Sequence, residues 1–299
     1  MSLSTTTRMI WNHPLLEGRQ IHGLLRLFRW HLGVRLLGTS VVIPFVNGTE
    51  LLATKGMVAA THNYYVGLME YEDMSFALHA LRPNDLFIDV GANIGSYSIC
   101  AASVGAAVVA IEPIPSSADA LVRNVELNHF SDSIKVLRQG LGREAGTLRF
   151  TTGSGTANHV LRSDDDPSVP STDVPVTTLD ETLNGRVPWL VKIDVEGFET
   201  DVLVGATTTL QNPGLHALIV ELNGLGAHYG HDDGETHKTL LSLGLEPHAY
   251  DPHARVLLPL DGPNDGPEES RNTLYIRNHA AVEKRLSTAA SYTVLGVER

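Results

Sequence analysis

Cysteine is almost missing: Cys100 is the single one, so the chain has no disulfide framework and no cysteine-based zinc site. No run approaches the ~18 apolar residues of a membrane span. The opening MSLSTTTRMIWNHPLLEGRQ lacks the unbroken apolar stretch and small-residue cleavage site of a signal peptide. These absences lead to the expectation of a cytoplasmic protein. Positive charge is short as well. Against 34 acidic residues stand 22 Lys and Arg, a net charge of −12, which argues against nucleic acid as a partner. The shortage is uneven: residues 1–60 hold six basic residues and two acidic ones, a balance of +4. What is present, 299 residues with 42% hydrophobic and 27 glycines, suits one large domain or a domain with an appendage.

GRQIHGLLRLFRWHLGVRLL (18–37) sets Ile21, Leu24, Leu25, Phe28 and Leu32 at helical spacing between arginines. Such a helix either lies on a membrane surface or packs on its own domain with arginine stems over apolar surface. Packing is the expectation. Residues 41–58 read as two short strands around Asn47-Gly48, and EYEDMSFALHALRPND as a helix ended by Pro83. From Leu86 the rhythm changes. Strands are expected at 86–90, 107–112, 134–138, 190–194, 217–222 and 272–277, and helices at 95–104, 115–128, 198–210 and 234–243. This alternation predicts an α/β fold with a largely parallel sheet buried between helices. Between the third and fourth strands the polar interval suggests a hairpin and a mobile Ser/Asp/Pro loop near 162–172.

LFIDVGANIGSYSICAASVGAAVVAIEP (86–113) is a strand, a glycine turn, a helix and a strand ending in an acid. A dinucleotide turn needs glycines at offsets 0, 2 and 5. Gly91, Asn93 and Ser96 occupy them, so only the first fits. A phosphate loop is excluded too, since no Gly-Lys-Ser/Thr follows. What remains is Asp89 before the turn, Gly91, Asn93 and Gly95 within it, and Glu112 23 residues beyond Asp89. An acid at Glu112 can accept both ribose hydroxyls, and Asp89 can hold an amine. A ligand with a ribose, an amino-acid end and a sulfonium but no phosphate fits: S-adenosylmethionine.

EYEDMSFALHALRPNDLFIDVGANIGSYSICAASVGAAVVAIEP resembles the opening block of the FkbM-type S-adenosylmethionine-dependent methyltransferases. VTTLDETL and LVKIDVEGFETDVLVGA resemble that family's later signatures. Together they span about residues 70–223, with one departure, Asn84 where the family usually has glycine. The resemblance implies a class I methyltransferase (Rossmann-like) fold: a seven-stranded, mostly parallel sheet with a reversed last strand and helices on both faces. Residues 1–75 would form an N-terminal cap of helix and hairpin, closing the acceptor site or making a homodimer contact; residues 76–299 would form the methyltransferase domain. It implies O-methylation of a hydroxyl on a sugar, glycan or polyketide-derived natural product. Carried over by position, the cofactor site is Asp89, Gly91, Ala92, Asn93, Gly95, Ser96, Glu112 and Pro113, with Gln139 and Gly140 flanking the adenine and Glu72 and Asp194 adding contacts.

Methyl transfer is an in-line displacement, so the acceptor oxygen must be aligned and its proton removed. Candidates belong at the carboxyl ends of the fourth and fifth strands. Asp194 ends the fourth; Glu221 and Asn223 end the fifth, on one face by strand alternation. This set resembles in topology the magnesium site of catechol-type O-methyltransferases, and its oxygen ligands suit Mg2+. Glu196 joins them or caps the next helix. His228 and His231 lie in a glycine-rich loop where a substrate lid would sit, His228 as a candidate base. His62, Tyr64 and Tyr65 are candidates for the acceptor pocket. The alternatives are transfer to an amide or amine nitrogen, an NAD-dependent oxidoreductase, which the missing glycines oppose, and a non-catalytic S-adenosylmethionine-binding module.

Overall fold

The first element of the computed structural model is helix α1 (Leu3–Asn12), which passes through a 3-10 turn and Gly18 (φ +70°) into α2 (Gln20–Leu37). The structure describes residues 3–37, 40–153, 155–162, 164–166, 168–264 and 272–299. Helix α2 does pack on its own domain, but not with the face that the spacing suggested. Gly23, Leu27 and Trp30 point inward, while Ile21, Leu25, Phe28 and Leu32 point outward and Leu24 is half-buried. A β-carbon on Gly23 would lie 2.6 Å from both Ile10 Cγ2 and Leu16 Cδ1, so its missing side chain sets the approach of α1. The helix is apolar on two opposite faces, and periodicity alone does not say which one is covered.

The expected hairpin is β1 (Val41–Pro44) against β2 (Glu50–Ala53), turning through Asn47 at φ +52° and Gly48 at +78°. Helices α3 (Val58–Val66) and α4 (Tyr71–Ala80) follow. α4 stops short of Arg82, since proline at 83 disfavours helical backbone at the residue before it. Asn84 then sits at φ +70°, a conformation asparagine tolerates, so the departure from glycine here is harmless.

The chain continues with β3 (Leu86–Val90), α5 (Ser96–Ser103), β4 (Ala107–Ile111), α6 (Pro115–Leu127) and β5 (Ile134–Leu137), then β6 (Gly140–Leu141), β7 (Gly146–Thr151) and β8 (Ser171–Thr177). After them come α7 (Leu179–Leu183), β9 (Leu190–Ile193), α8 (Glu199–Val204), α9 (Thr207–Gln211), β10 (Ala217–Glu221), α10 (Asp233–Ser242), β11 (Glu246–Asp251), β12 (Val256–Pro259) and β13 (Asn272–Ile276). Helix α11 (His279–Ser287) and a small hairpin, β14 (Thr293–Val294) with β15 (Val297–Glu298), end the chain. The single helix expected at 198–210 is two, broken at Gly205, where a β-carbon would meet the Gly142 carbonyl oxygen at 2.1 Å. The polar interval forms a three-stranded sheet, β6-β8-β7, rather than a hairpin alone; residues 163 and 167 of its expected loop lie outside the described residues.

The main sheet runs β12-β11-β13-β10-β9-β3-β4-β5. Strands β5, β4, β3, β9 and β10 are parallel; β13 is reversed between β10 and β11. This is the expected class I methyltransferase sheet of seven strands with an eighth, β12, added antiparallel at the edge. Strict alternation divides it. Phe87, Ala110, Leu190, Ile219 and Leu274 join one buried cluster; Ile88, Val109, Val191, Val220 and Tyr275 join the other. The first cluster continues into Ile10, Leu16, Trp30 and Val46, so residues 1–75 share a core with the sheet. The chain leaves β3 in one direction for β4 and returns on its other side as β9, so the strand order reverses at the carboxyl end of β3.

Candidate functional site

Three backbone features make the turn after β3. Gly91 sits at φ +78°, and a β-carbon there would lie 1.8 Å from the carbonyl oxygen of Asp194; only glycine lets the two strand ends meet. Gly95, at φ +91°, would drive a β-carbon to 2.3 Å from Leu121 Cδ1. Asn93 is left-handed at φ +51°, which turns its N–H onto Glu112 Oε2 (2.7 Å), while the Ile114 N–H donates to Oε1 (2.8 Å). Burial pushes the Glu112 carboxyl up to about 7, against those two amide bonds. Asp89 lies deeper, 1% exposed, and accepts from Ser98 Oγ at 2.6 Å. Ser96 is bonded from Asn63 Nδ2 of α3, which ties the cap to the turn.

Beside the turn opens a cavity of about 1140 Å³, larger than the ~300–1,000 Å³ of a typical single-ligand pocket. The turn residues Gly91, Ala92, Asn93 and Ser96 line it together with Asp89, Glu112 and Pro113. Glu70, Glu72 and Asp73 enter from α4 and the segment before it, Asp194, Glu196 and Glu221 from the strand ends, and Ser4, Arg8, Asn12 and His62 from the cap. Eight carboxyls face Lys192 and Arg8, the two Lys or Arg side chains of the lining. Such a lining suits a cationic ligand, and the close-packed glycines with a carboxylate at Glu112 suit a ribose with no phosphate. The residues therefore fit S-adenosylmethionine.

Lys192 went unremarked in the sequence reading. It is 3% exposed in the middle of β9, in register with Asp89. Its Nζ donates to Asp194 Oδ2 at 2.7 Å and stands 4.8 Å from the centre of the Tyr97 ring. Burial opposes its charge, but Asp194, Glu70 and Asp89 outweigh that and raise its pKa. Around it Tyr97 donates to Glu70 Oε2 at 2.5 Å, and Asn272 Nδ2 bridges Glu70 (2.9 Å) and Asp73 (3.1 Å). Burial, then Glu70, pushes Asp73 up to about 8. Burial and Asp194 raise Glu196 to about 7, and burial with Asp194 and Glu196 raises Glu221 further.

The arrangement gives the magnesium expectation no support. Asn223 Oδ1 accepts from the Leu225 N–H at 3.0 Å, closing a turn. The ammonium of Lys192 already supplies the positive charge beside Asp194. No group of three or more His, Cys, Asp or Glu placed to hold a metal exists among the described residues.

Other expected residues also stand apart from the cavity. His228 pairs with Asp165 (3.3 Å) and His231 with Asp201 (2.6 Å), both outside the lining. Gln139 donates to Thr182 (3.2 Å), and Gly140 enters the small sheet beside Val176, so neither borders the cavity. Tyr64 and Tyr65 turn from it into the cap, Tyr64 beside Trp30, whereas His62, from the same helix, lines it. Glu196 does not cap α8, which has no side-chain cap; Glu199 Oε1 instead accepts from the Val195 (2.9 Å) and Gly197 (3.2 Å) amides. Residues the sequence reading missed are Arg8, Glu70, Asp73, Tyr97, Phe150 and Lys192. A lysine inside the apolar strand LVKI was the visible signal among them.

The methyltransferase FkbM domain model matches residues 89–247. The chain is 31% identical over 176 residues to the hexuronic acid methyltransferase AglP of Haloferax volcanii, covering 59% of this chain and 70% of that protein. It is 36% identical over 83 residues to the methyltransferase sdnD of Sordaria araneosa, covering 27% and 32%. Among solved structures, methyltransferase FkbM from Methylobacillus flagellatus aligns with a TM-score of 0.42 at 16% identity, over 72% of this chain and 52% of that one. With the family model spanning more than half of its length, this chain belongs to the FkbM family of S-adenosylmethionine-dependent methyltransferases.

Proposed function

We propose that the chain methylates a hydroxyl oxygen of an acidic saccharide. The observation that carries this reading is the single cavity reaching from Glu112 at the cofactor turn, past the carboxyls of Asp194, Glu196 and Glu221, to Arg8 and His62 of the cap. S-adenosylmethionine, when bound along the turn, supplies an activated methyl group. Glu112 accepts from its ribose and Asp89 with Ser98 supports the turn from beneath. Glu196 takes the acceptor's proton: it ionises near neutral pH, which is where a base works best. Asp194, hydrogen-bonded by Lys192, orients the acceptor, while Glu221, raised by burial and by its carboxylate neighbours, stays protonated and donates a hydrogen bond. Arg8 offers a guanidinium to an acceptor carboxylate, and the hexuronic acid substrate named for the Haloferax relative supports that choice. Residues 1–75 act as the cap that closes the acceptor end.

The test is methyl transfer from labelled S-adenosylmethionine to paired oligosaccharides with and without a uronic acid residue. The expected result is methylation of the acidic member, with Arg8→Ala raising its KM and Glu196→Gln lowering kcat by ~10²–10³ while cofactor affinity holds. Preference for the neutral member, or full activity in Glu196→Gln, overturns the reading.

A further inference from the structure

The outward face of α2 takes no part in the cavity, and nothing in the described chain covers it. Ile21, Leu25, Phe28 and Leu32 are 68%, 46%, 64% and 48% exposed. At about 100° per residue they fall within ~60° of arc, a single continuous stripe. The helix cannot rotate to hide them. Gly23 is locked against Ile10 and Leu16 on the opposite face, and Arg26 holds the Tyr65 carbonyl through Nε (3.0 Å) and Nη2 (2.7 Å). On α1, Trp11 and Leu3 are also exposed, at 59% and 64%.

Charge separates the possible occupants. Residues 18–37 contain Arg19, Arg26, Arg29 and Arg35 and no acid, in a chain whose net charge is −12. Exposed Arg29 and His22 border one side of the stripe and exposed His31 the other. Arg26 is turned inward onto the Tyr65 carbonyl, so Arg29 is the exposed arginine beside the stripe, and no acid of the helix balances it. Two copies meeting stripe to stripe would bring two such basic, acid-free faces together, whereas an anionic lipid surface receives the apolar residues among its acyl chains and Arg29 at its headgroups. We propose that α2 is a peripheral membrane-docking helix for bilayers carrying anionic lipid. α1, which packs on α2 through Ile10, lines the cavity with Ser4, Arg8 and Asn12, so docking brings one wall of the cavity within a helix of the bilayer.

Sedimentation of the full chain with vesicles of phosphatidylcholine, with and without about 30% phosphatidylglycerol, tests this. The expected result is binding at least about ten-fold stronger to the anionic vesicles and weakened by salt. Ile21→Glu with Phe28→Glu should lower it at least about ten-fold and Arg29→Glu should lower it less, with S-adenosylmethionine affinity unchanged in both as the check on folding. No binding to anionic vesicles, equal binding to both compositions, or binding that survives the double variant overturns the proposal. A concentration-dependent dimer in vesicle-free buffer, abolished by the double variant, would assign the face to a second copy instead.

Discussion

Replacing Lys192 with methionine keeps most of the unbranched stem but removes the one ammonium among Asp194, Glu70 and Asp89, together with its contact over the Tyr97 ring. Removing one partner of a buried ion pair costs about 3–5 kcal/mol. The lower end, about 3 kcal/mol, applies here, because the Asp194 side chain keeps 29% exposure and regains some water. That is over a hundred-fold in the unfolding equilibrium. The loss has a pH signature. Without the ammonium the neighbouring carboxyls hold protons more tightly when folded than when unfolded, so folding binds protons and stability falls as pH rises above their unfolded value. Lys192 itself titrates above its ordinary 10.5 and contributes no slope below that. Urea unfolding at pH 6 and pH 8 should therefore show a larger deficit at pH 8. Adding Asp194→Asn to Lys192→Met should recover a large part of it, since the double change removes both charges. A deficit under about 1 kcal/mol, equal at the two pH values, would refute the assignment of Lys192 as the cation that balances the site.

Other consequences follow from the same geometry. Burial raises Glu112, Glu196 and Glu199 to about 7 and Asp73 to about 8, while His13 and His62 are lowered to about 4. The unfolded histidines lose their protons over about pH 6–7.5 and are outweighed by the raised carboxyls, so between about pH 7 and 8 the folded chain is the proton-richer state, and the ligand-free Tm should fall across that interval. Gly91→Ala should abolish cofactor binding, because its β-carbon collides with the Asp194 backbone. Gly224→Ala, also at positive φ (+85°) but with open space around it, should cost about 1–2 kcal/mol of stability and leave binding intact; calorimetry with urea melts separates the two. EDTA should leave turnover unchanged, and added Mg2+ should not raise it. His228→Ala should stay within about two-fold of the parent kcat/KM, an expectation that a loss of ~10² or more would overturn.

The sheet could be read from sequence because its strands are buried on both faces and punctuated by glycines: LFIDV, AVVAI and ALIVE fall within a residue of their observed ends. β11 and β12 escaped, since EPHAYD mixes polar residues with a proline and VLLP is half-exposed at the sheet edge. The turn after β3 was legible for a local reason: Gly91, Asn93, Gly95 and Glu112 meet through backbone geometry, and Asp89 meets Ser98, all within one strand-helix-strand unit. The far side of the cavity was not, because Lys192, Glu70, Tyr97 and Asn272 meet only when separate parts of the chain fold together. Asn223 illustrates the limit of strand alternation. The strand ends at Glu221, and two residues later the side chain serves a turn.

Calorimetric titration with S-adenosylmethionine, and separately with NAD, on the parent chain and on Glu112→Ala decides the assignment of the turn after β3 to the cofactor. S-adenosylmethionine should bind the parent chain and weaken at least about ten-fold in the variant, which loses the carboxylate and its two amide contacts, and NAD should not bind. Undiminished affinity in Glu112→Ala, or binding of NAD, would contradict it.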